Sequence, residues 1–229
     1  MRKNEVVNYV KSRNKSLPEY KFGSLQVIIK DPLPDNVDVD RIFKEITSIL
    51  PPHFVDLVDV VYVGNFDFFE EREINSLYMD GAIYVSNEQD SNEDMKDDVV
   101  HEFGHALEEK YHDFIYDDEK IQGEYFAKLK KLKKFLEHEG YNTEAYNFFN
   151  LEYESDFDEF LFKKVGYEKL QNLSNGMFLN PYSITSLREY WSTGFEEYFL
   201  GNRLYLQKTC PYINKKLSLL ELEEVQYGY

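Results

Sequence analysis

Residues 91–107 read SNEDMKDDVVHEFGHAL, and the pentapeptide HEFGH inside this stretch begins at His101 and ends at His105. The apolar residues of the stretch recur at helical spacing, which predicts an amphipathic helix. Residues four apart lie on the same face of a helix, so both imidazoles can approach one metal ion. Glu102 lies about 100° round the helix from His101 and can reach a water molecule on that ion. The pattern therefore predicts a zinc site with a carboxylate beside it.

The start of this helix is marked by Ser91-Asn92-Glu93-Asp94, which resembles a capping box with aspartate in the glutamate position. We expect an apolar stripe to bury the helix and to leave the two histidines facing a cleft. The stripe consists of Met95, Val99, Val100, Phe103, Ala106 and Leu107.

The first half of the chain predicts a mixed α/β region. Residues 24–30 and 57–63 are rich in β-branched and apolar residues, which is typical of strands. Between them, residues 38–50 place their apolar side chains on one helical face, and a Pro-Pro pair ends that helix. A short strand, Ala82–Ser86, precedes the motif helix.

From about residue 113 onward the sequence predicts helices only. Their approximate ranges are 121–138, 155–173, 183–190 and 194–207. We therefore predict an α+β fold in a single domain over residues 1–229. Its N-terminal mixed lobe is expected to end at about 112, and a C-terminal helical lobe is expected to begin at about 113.

Composition narrows the classes of function. The formal net charge of −17 argues against nucleic acid as a partner, because phosphate binding needs a basic surface. The single cysteine, Cys210, excludes an internal disulfide and a zinc site built from several thiolates. No apolar run is long enough to span a bilayer, and the N-terminus carries no secretory signal. We expect a cytoplasmic protein without a membrane partner, with export by a route without a signal peptide as the alternative.

A catalytic zinc needs a third protein ligand, and the sequence offers different ways to supply it. A third histidine after a glycine turn is absent, because Glu108 and Tyr111 occupy the two positions concerned. A glutamate on the next helix is available as Glu124. Lys128 follows it by one helical turn, and a cation at that place would oppose the metal electrostatically.

A second glutamate, Glu197, is the favoured third ligand. Thr193-Gly-Phe-Glu196 has the spacing of a capping box and predicts a helix that begins near Gly194. Glu196 would then fold back onto the helix N-terminus and leave Glu197 to point elsewhere. Apolar neighbours would make a bare carboxylate costly there, and a zinc ion would remove that cost. Glu124 stays open as the alternative ligand.

The Tyr190 hydroxyl, just ahead of this helix, is expected to lie over the same site. HEFGH followed by Ala-Leu-Glu-Glu, together with Tyr190-x6-Glu197 and its aromatic neighbours, resembles the catalytic domain of anthrax lethal factor. It is also similar to the wider set of lethal-factor-like and Pro-Pro endopeptidase metalloproteases. The resemblance covers roughly residues 95–112 and 187–215.

This resemblance implies a zincin-like fold of the gluzincin type, with Zn²⁺ held by His101, His105 and Glu197. It implies Glu102 as the general base and Tyr190 as a donor to the oxyanion. Gly201, four residues after the glutamate ligand, departs from the family pattern and leaves the surroundings of that ligand open.

The leading hypothesis is thus a zinc endopeptidase in which Glu102 accepts a proton from a zinc-activated water. A protein or peptide substrate is expected to bind along Ala82–Ser86, which we predict to be the edge strand of the sheet. Two alternatives remain. One is a catalytically degenerate zincin that serves as a binding or structural component of a larger assembly. The other is zinc-dependent hydrolysis of a bond other than a peptide bond.

Overall fold

The computed structural model of the protein describes residues 18–72 and 74–222. Contacts divide the chain into an N-terminal unit that ends at Leu107 and a C-terminal unit that begins at Glu108. Within the described ranges, every strand belongs to the N-terminal unit, whereas the C-terminal unit is built from helices. The predicted α+β class is confirmed. No helix of the described part of the chain combines the length and the apolar character needed to cross a membrane.

The described part of the N-terminal unit contains a five-stranded sheet in the order β1-β2-β3-β5-β4. The two outer pairs of strands are antiparallel, and the inner pairs β2-β3 and β3-β5 are parallel. The strands are β1 (Glu19–Phe22), β2 (Leu25–Ile29), β3 (Val60–Val63), β4 (Ser76–Met79) and β5 (Ala82–Val85). The strands predicted over 24–30, 57–63 and 82–86 are confirmed as β2, β3 and β5, each shorter than predicted at one end or both.

The prediction that Ala82–Ser86 is an edge strand is wrong. β5 pairs with β3 on one side and with β4 on the other, so β4, and not β5, is the edge strand at that end of the described sheet. The four residues of β5 are all buried, as a strand covered on both faces requires. Strand β4 escaped the sequence analysis because Ser76–Met79 has neither a strict alternation nor a run of β-branched residues.

Among the described residues of the N-terminal unit, four helices begin, and the last of them continues into the C-terminal unit. They are α1 (Val39–Ile49), α2 (Pro52–Val55), α3 (Asp67–Arg72) and α4 (Asn92–Tyr116). The side chain of Asp38 caps α1 by accepting a hydrogen bond from the backbone N–H of Arg41 at 3.1 Å. The predicted helix over 38–50 is thereby confirmed.

The loop before α1 is tied to the loop before α4. The Asn36 side-chain amide donates to the Asp90 carbonyl at 2.7 Å. The backbone N–H of Asp38 donates to the side-chain oxygen of Asn92, also at 2.7 Å. The N-terminal ends of the two helices are therefore fixed to each other.

From residue 155 onward, the helices of the C-terminal unit differ from the predicted ones. Its α-helices are α5 (Lys120–His138), α6 (Ser155–Glu159), α7 (Tyr167–Ser174), α8 (Leu187–Phe199), α9 (Arg203–Thr209) and α10 (Pro211–Glu221). A π-helical segment, Phe160–Val165, follows α6 directly. Gly166, with φ of 85°, separates it from α7, so the predicted helix 155–173 is broken there.

The prediction that a helix begins near Gly194 is wrong. Helix α8 begins at Leu187, because the side chain of Ser186 caps it, and Thr193 lies in its interior. Gly194 lies against α10. A Cβ atom at this position would be 2.7 Å from Cγ2 of Ile213, so glycine permits the close approach of the two helices.

Candidate metal centre

Both histidines of the HEFGH motif lie on α4, one turn apart. Their ring centroids are separated by 5.0 Å, and the ring planes meet at 78°. His105 is buried, and His101 is half-buried. The Ser91 hydroxyl accepts a hydrogen bond from the backbone N–H of Asp94 at 3.1 Å, which confirms the predicted cap. The helical spacing thus presents both imidazoles on one face, as the sequence predicted.

The rotation of α4 is fixed by its apolar stripe. Burying each large apolar side chain stabilises the fold by about 1.5–3 kcal/mol, so a helix that carried this stripe outward would be strongly disfavoured. Each of the predicted stripe residues is at most 1% exposed: Met95, Val99, Val100, Phe103, Ala106 and Leu107. The stripe therefore determines which way the motif histidines point.

His101, His105 and Glu189 form a group that could hold a metal ion. One ligand atom from each residue lies within 4.8 Å of the other two. Ligand atoms on a tetrahedral ion are about 3.4 Å apart when each lies about 2.1 Å from it, so small side-chain movements would close the group. Two imidazole nitrogens and one carboxylate oxygen also form a donor set of catalytic metal sites. The residues therefore fit a divalent transition metal.

Glu189 belongs to the first turn of α8. Its backbone N–H donates to the Ser186 hydroxyl at 3.2 Å. Ser186 is thus the N-cap of α8, and a serine just before this apolar stretch was a start signal present in the sequence. The predicted cap, Thr193, lies seven residues later, in the interior of the helix.

Among the described residues, the glutamate that lies within reach of the two histidines is Glu189 and not the predicted Glu197. Glu197 is not a member of the group within the described residues. It lies eight residues beyond Glu189 on the same helix, about 12 Å along the axis and about 80° round it. Two side chains so placed cannot hold one ion.

Glu197 has a different role at the end of α8. Its carboxylate accepts a hydrogen bond from the backbone N–H of Asn202 at 2.8 Å. A Cβ atom at Gly201 would lie 2.5 Å from one of its carboxylate oxygens. Glycine at 201 therefore leaves room for Glu197 to fold over the turn that follows the helix, which explains the residue that departs from the family pattern.

Tyr190 lies in a buried polar cluster of the C-terminal unit. Its hydroxyl donates to Glu124 at 2.5 Å and accepts from the ammonium group of Lys128. Lys128 also forms an ion pair with Glu124 at 3.6 Å and donates to the Thr209 carbonyl at 2.6 Å. Burial, followed by the effects of Cys210 and Glu124, raises the pKa of Tyr190 well above its usual value.

This cluster contains two residues that the sequence placed near the metal, Tyr190 and Glu124. The hydroxyl that was expected over the metal is engaged by Glu124 and Lys128, and Tyr190 is fully buried. Glu124, the alternative third ligand, is paired with Lys128, the cation that counted against it in the sequence. Neither Tyr190 nor Glu124 belongs to the group of potential metal ligands among the described residues.

Glu102 is buried and contacts the edge strand β4. The Ser76 hydroxyl donates to one of its carboxylate oxygens at 2.7 Å, and the backbone N–H of Tyr78 donates to the other at 2.6 Å. Glu102 is 4% exposed. Ser76 could not be predicted, because a serine in a weak strand has no pattern that connects it to a motif 26 residues later.

Comparisons with protein-family models, with curated proteins and with solved structures found no match for this chain. The resemblance to lethal-factor-like metalloproteases therefore stays a prediction based on short motifs. One of those motifs, Tyr190-x6-Glu197, consists of residues that the structure engages outside the ligand group.

Proposed function

We propose that this chain is a zinc-dependent endopeptidase with a zincin-like fold. In this proposal His101, His105 and Glu189 hold the zinc ion, and Glu102 is the general base. The observation that carries the proposal is the group of two imidazoles and one carboxylate within 4.8 Å of one another. The motif supplies Glu102 next to the first of these ligands. Zinc sites with two histidines and one glutamate are typical of metallopeptidases.

Glu102 is suited to accept and return a proton. When bound, zinc lowers the pKa of a coordinated water from about 15.7 to about 7 and so supplies a nucleophile at neutral pH. Each oxygen of a carboxylate has two acceptor positions. Since Ser76 and Tyr78 each use one, Glu102 keeps an acceptor position for the attacking water. The same carboxylate can later protonate the leaving amine.

The contact between Glu102 and β4 supports a peptide as the substrate. An edge strand offers unpaired main-chain groups, and an extended peptide can add to it as a further strand. Since Ala82–Val85 lies inside the sheet, we propose β4, Ser76–Met79, as the peptide-binding strand in its place. Glu102 already occupies the outward N–H of Tyr78, so an added peptide would pair with the other outward main-chain groups of β4 and would pass close to the general base.

The metal ligands are tested by elemental analysis after incubation with zinc and removal of the excess. We expect about one zinc per chain in the wild type and in Glu197→Gln, and loss of zinc in Glu189→Gln. The two variants carry the same change on the same helix, so Glu197→Gln controls for a general effect of neutralising a carboxylate. Equal zinc content in the two variants would contradict Glu189 as a ligand.

The reaction is tested with a peptide library and the Glu102→Gln variant. We expect the wild type to cleave, and Glu102→Gln to keep its zinc while cleavage falls by about 10²–10⁴-fold, the usual contribution of a general base. Cleavage by Glu102→Gln at the wild-type rate would refute the proposed base. A zinc-loaded wild type that cleaves no peptide would favour a binding or structural role.

A further inference from the structure

The carboxylate of Glu102 is held at both oxygens by one strand. The Ser76 hydroxyl and the Tyr78 backbone N–H donate to different oxygens, at 2.7 and 2.6 Å. Hydrogen bonds to an ionised carboxylate are stronger than bonds between neutral groups, and they offset part of the cost of burying the charge. The orientation of this side chain is therefore set by β4 and not only by its own helix.

Both donors belong to residues on the open side of β4. The Asn75 carbonyl accepts from the Ser86 N–H at 2.7 Å, so residue 75 faces β5. Main-chain groups alternate in direction along a strand, which turns those of Ser76 and Tyr78 away from β5. Glu102 thus binds at the edge to which, in the proposed function, a peptide adds.

A general base acts only when its oxygen lies within hydrogen-bond reach of the proton that it removes. Functional groups generally need to be held within about 0.5 Å of their productive position. A glutamate side chain has several rotatable bonds, and a bond to one oxygen would still allow the carboxylate to turn. The second bond, from Ser76, removes this remaining freedom.

We infer that Ser76 is a positioning residue for Glu102. This inference rests on the proposed function, since it concerns the same carboxylate in its role as the base. Ser76 acts through Glu102 and leaves the metal ligands untouched. Its loss should therefore lower the rate of the chemical step without a matching change in substrate or zinc binding.

The test compares four forms of the full chain, loaded with zinc, on a peptide that the wild type cleaves. Ser76→Ala removes the hydroxyl, and Ser76→Thr keeps it. Ser24→Ala is the matched control, because Ser24 also donates its hydroxyl to a carboxylate of the N-terminal unit, that of Asp56. The measured quantities are kcat, KM and zinc content.

We expect kcat of Ser76→Ala to fall about 10–100-fold, the usual effect of removing a group that orients a catalytic residue. KM should change less than about threefold, and zinc content should not change. Ser76→Thr should stay within about threefold of the wild type, as should Ser24→Ala. A wild-type kcat for Ser76→Ala, or equal losses in Ser76→Ala and Ser76→Thr, would overturn the inference while Glu102→Gln still supported the proposed function.

A second measurement does not depend on activity. Urea unfolding of the metal-free protein compares Ser76→Ala in the wild-type background with Ser76→Ala in a Glu102→Ala background. If the hydroxyl acts on Glu102, the first shift of the unfolding midpoint exceeds the second. Equal shifts would overturn the inference. A wild type that cleaves no peptide would refute the proposed function and the positioning role together, even if the shifts differ.

Discussion

Replacing Gly194 with alanine should destabilise the C-terminal unit although it improves helix propensity. Gly194 is in the interior of α8, the helix that carries Glu189. An added Cβ atom would lie 2.7 Å from Cγ2 of Ile213 and 3.0 Å from its Cδ1 atom. Favourable carbon contacts lie at about 3.5–4.0 Å, so the overlap is about 1 Å.

The magnitude follows from two opposing effects. Alanine is favoured over glycine in a helix interior by about 1 kcal/mol. Overpacking a well-filled core costs about 1–3 kcal/mol, and Ile213 is fully buried and branched at Cβ, so it has little freedom to move. We therefore expect Gly194→Ala to lower the free energy of unfolding by up to about 2 kcal/mol.

Gly123→Ala is the matched control. Gly123 lies in α5, and a Cβ atom there would have no neighbour within 4 Å. This variant should be more stable than the wild type by up to about 1 kcal/mol, because only the propensity term applies. The assay is urea unfolding followed by circular dichroism. Stabilisation of the protein by Gly194→Ala to the same extent as by Gly123→Ala would refute the packing argument.

Three further predictions concern the ends of helices. Ser186→Ala should lower the free energy of unfolding by about 1 kcal/mol, because it removes the cap of α8. Urea unfolding measures this difference, and a variant as stable as the wild type would contradict the capping role. Glu197→Ala should lower the free energy of unfolding by about 1 kcal/mol, because it leaves the backbone N–H of Asn202 without its partner. The variant should keep the zinc content of the wild type, and loss of zinc would support Glu197 as a ligand. Burial raises the pKa of Glu221, but hydrogen bonds from Tyr198 and Arg203 outweigh burial and hold this pKa below its usual value. The resulting stability is present above the unfolded pKa and is lost as pH falls through the folded one. The difference in unfolding free energy between the wild type and Glu221→Gln should therefore shrink between pH 6 and pH 3; a constant difference would contradict this.

Local patterns in the sequence predicted individual elements well, but not their neighbours in the sheet. The alternation in Leu25–Ile29 and the helical periodicity of Val39–Ile49 are set by which face of each element is buried. The position of a strand in a sheet depends on pairing between distant segments. Ala82–Val85 did carry one usable signal, since four consecutive apolar residues are typical of a strand covered on both faces.

Within the candidate site, too, local patterns predicted some residues and failed for others. His101 and His105 were predictable because the helix itself brings them together. The candidate for a third ligand was harder to predict, because the sequence contains two possible N-caps for α8, at Ser186 and at Thr193. In the structure Ser186 is the N-cap. Glu189 then lies in the first turn of α8 and belongs to the potential ligand group, whereas Glu197 lies near the opposite end of the helix.

The hydrogen bonds that join the loops before α1 and α4 limit where the chain tolerates insertions. Both loops are short and polar, which is typical of places chosen for epitope tags. The main-chain carbonyl of Asp90 and the main-chain N–H of Asp38, however, form hydrogen bonds with side chains of the other loop, in each case 54 residues away in the sequence. A tag inserted in either loop would break these hydrogen bonds and shift the start of the motif helix.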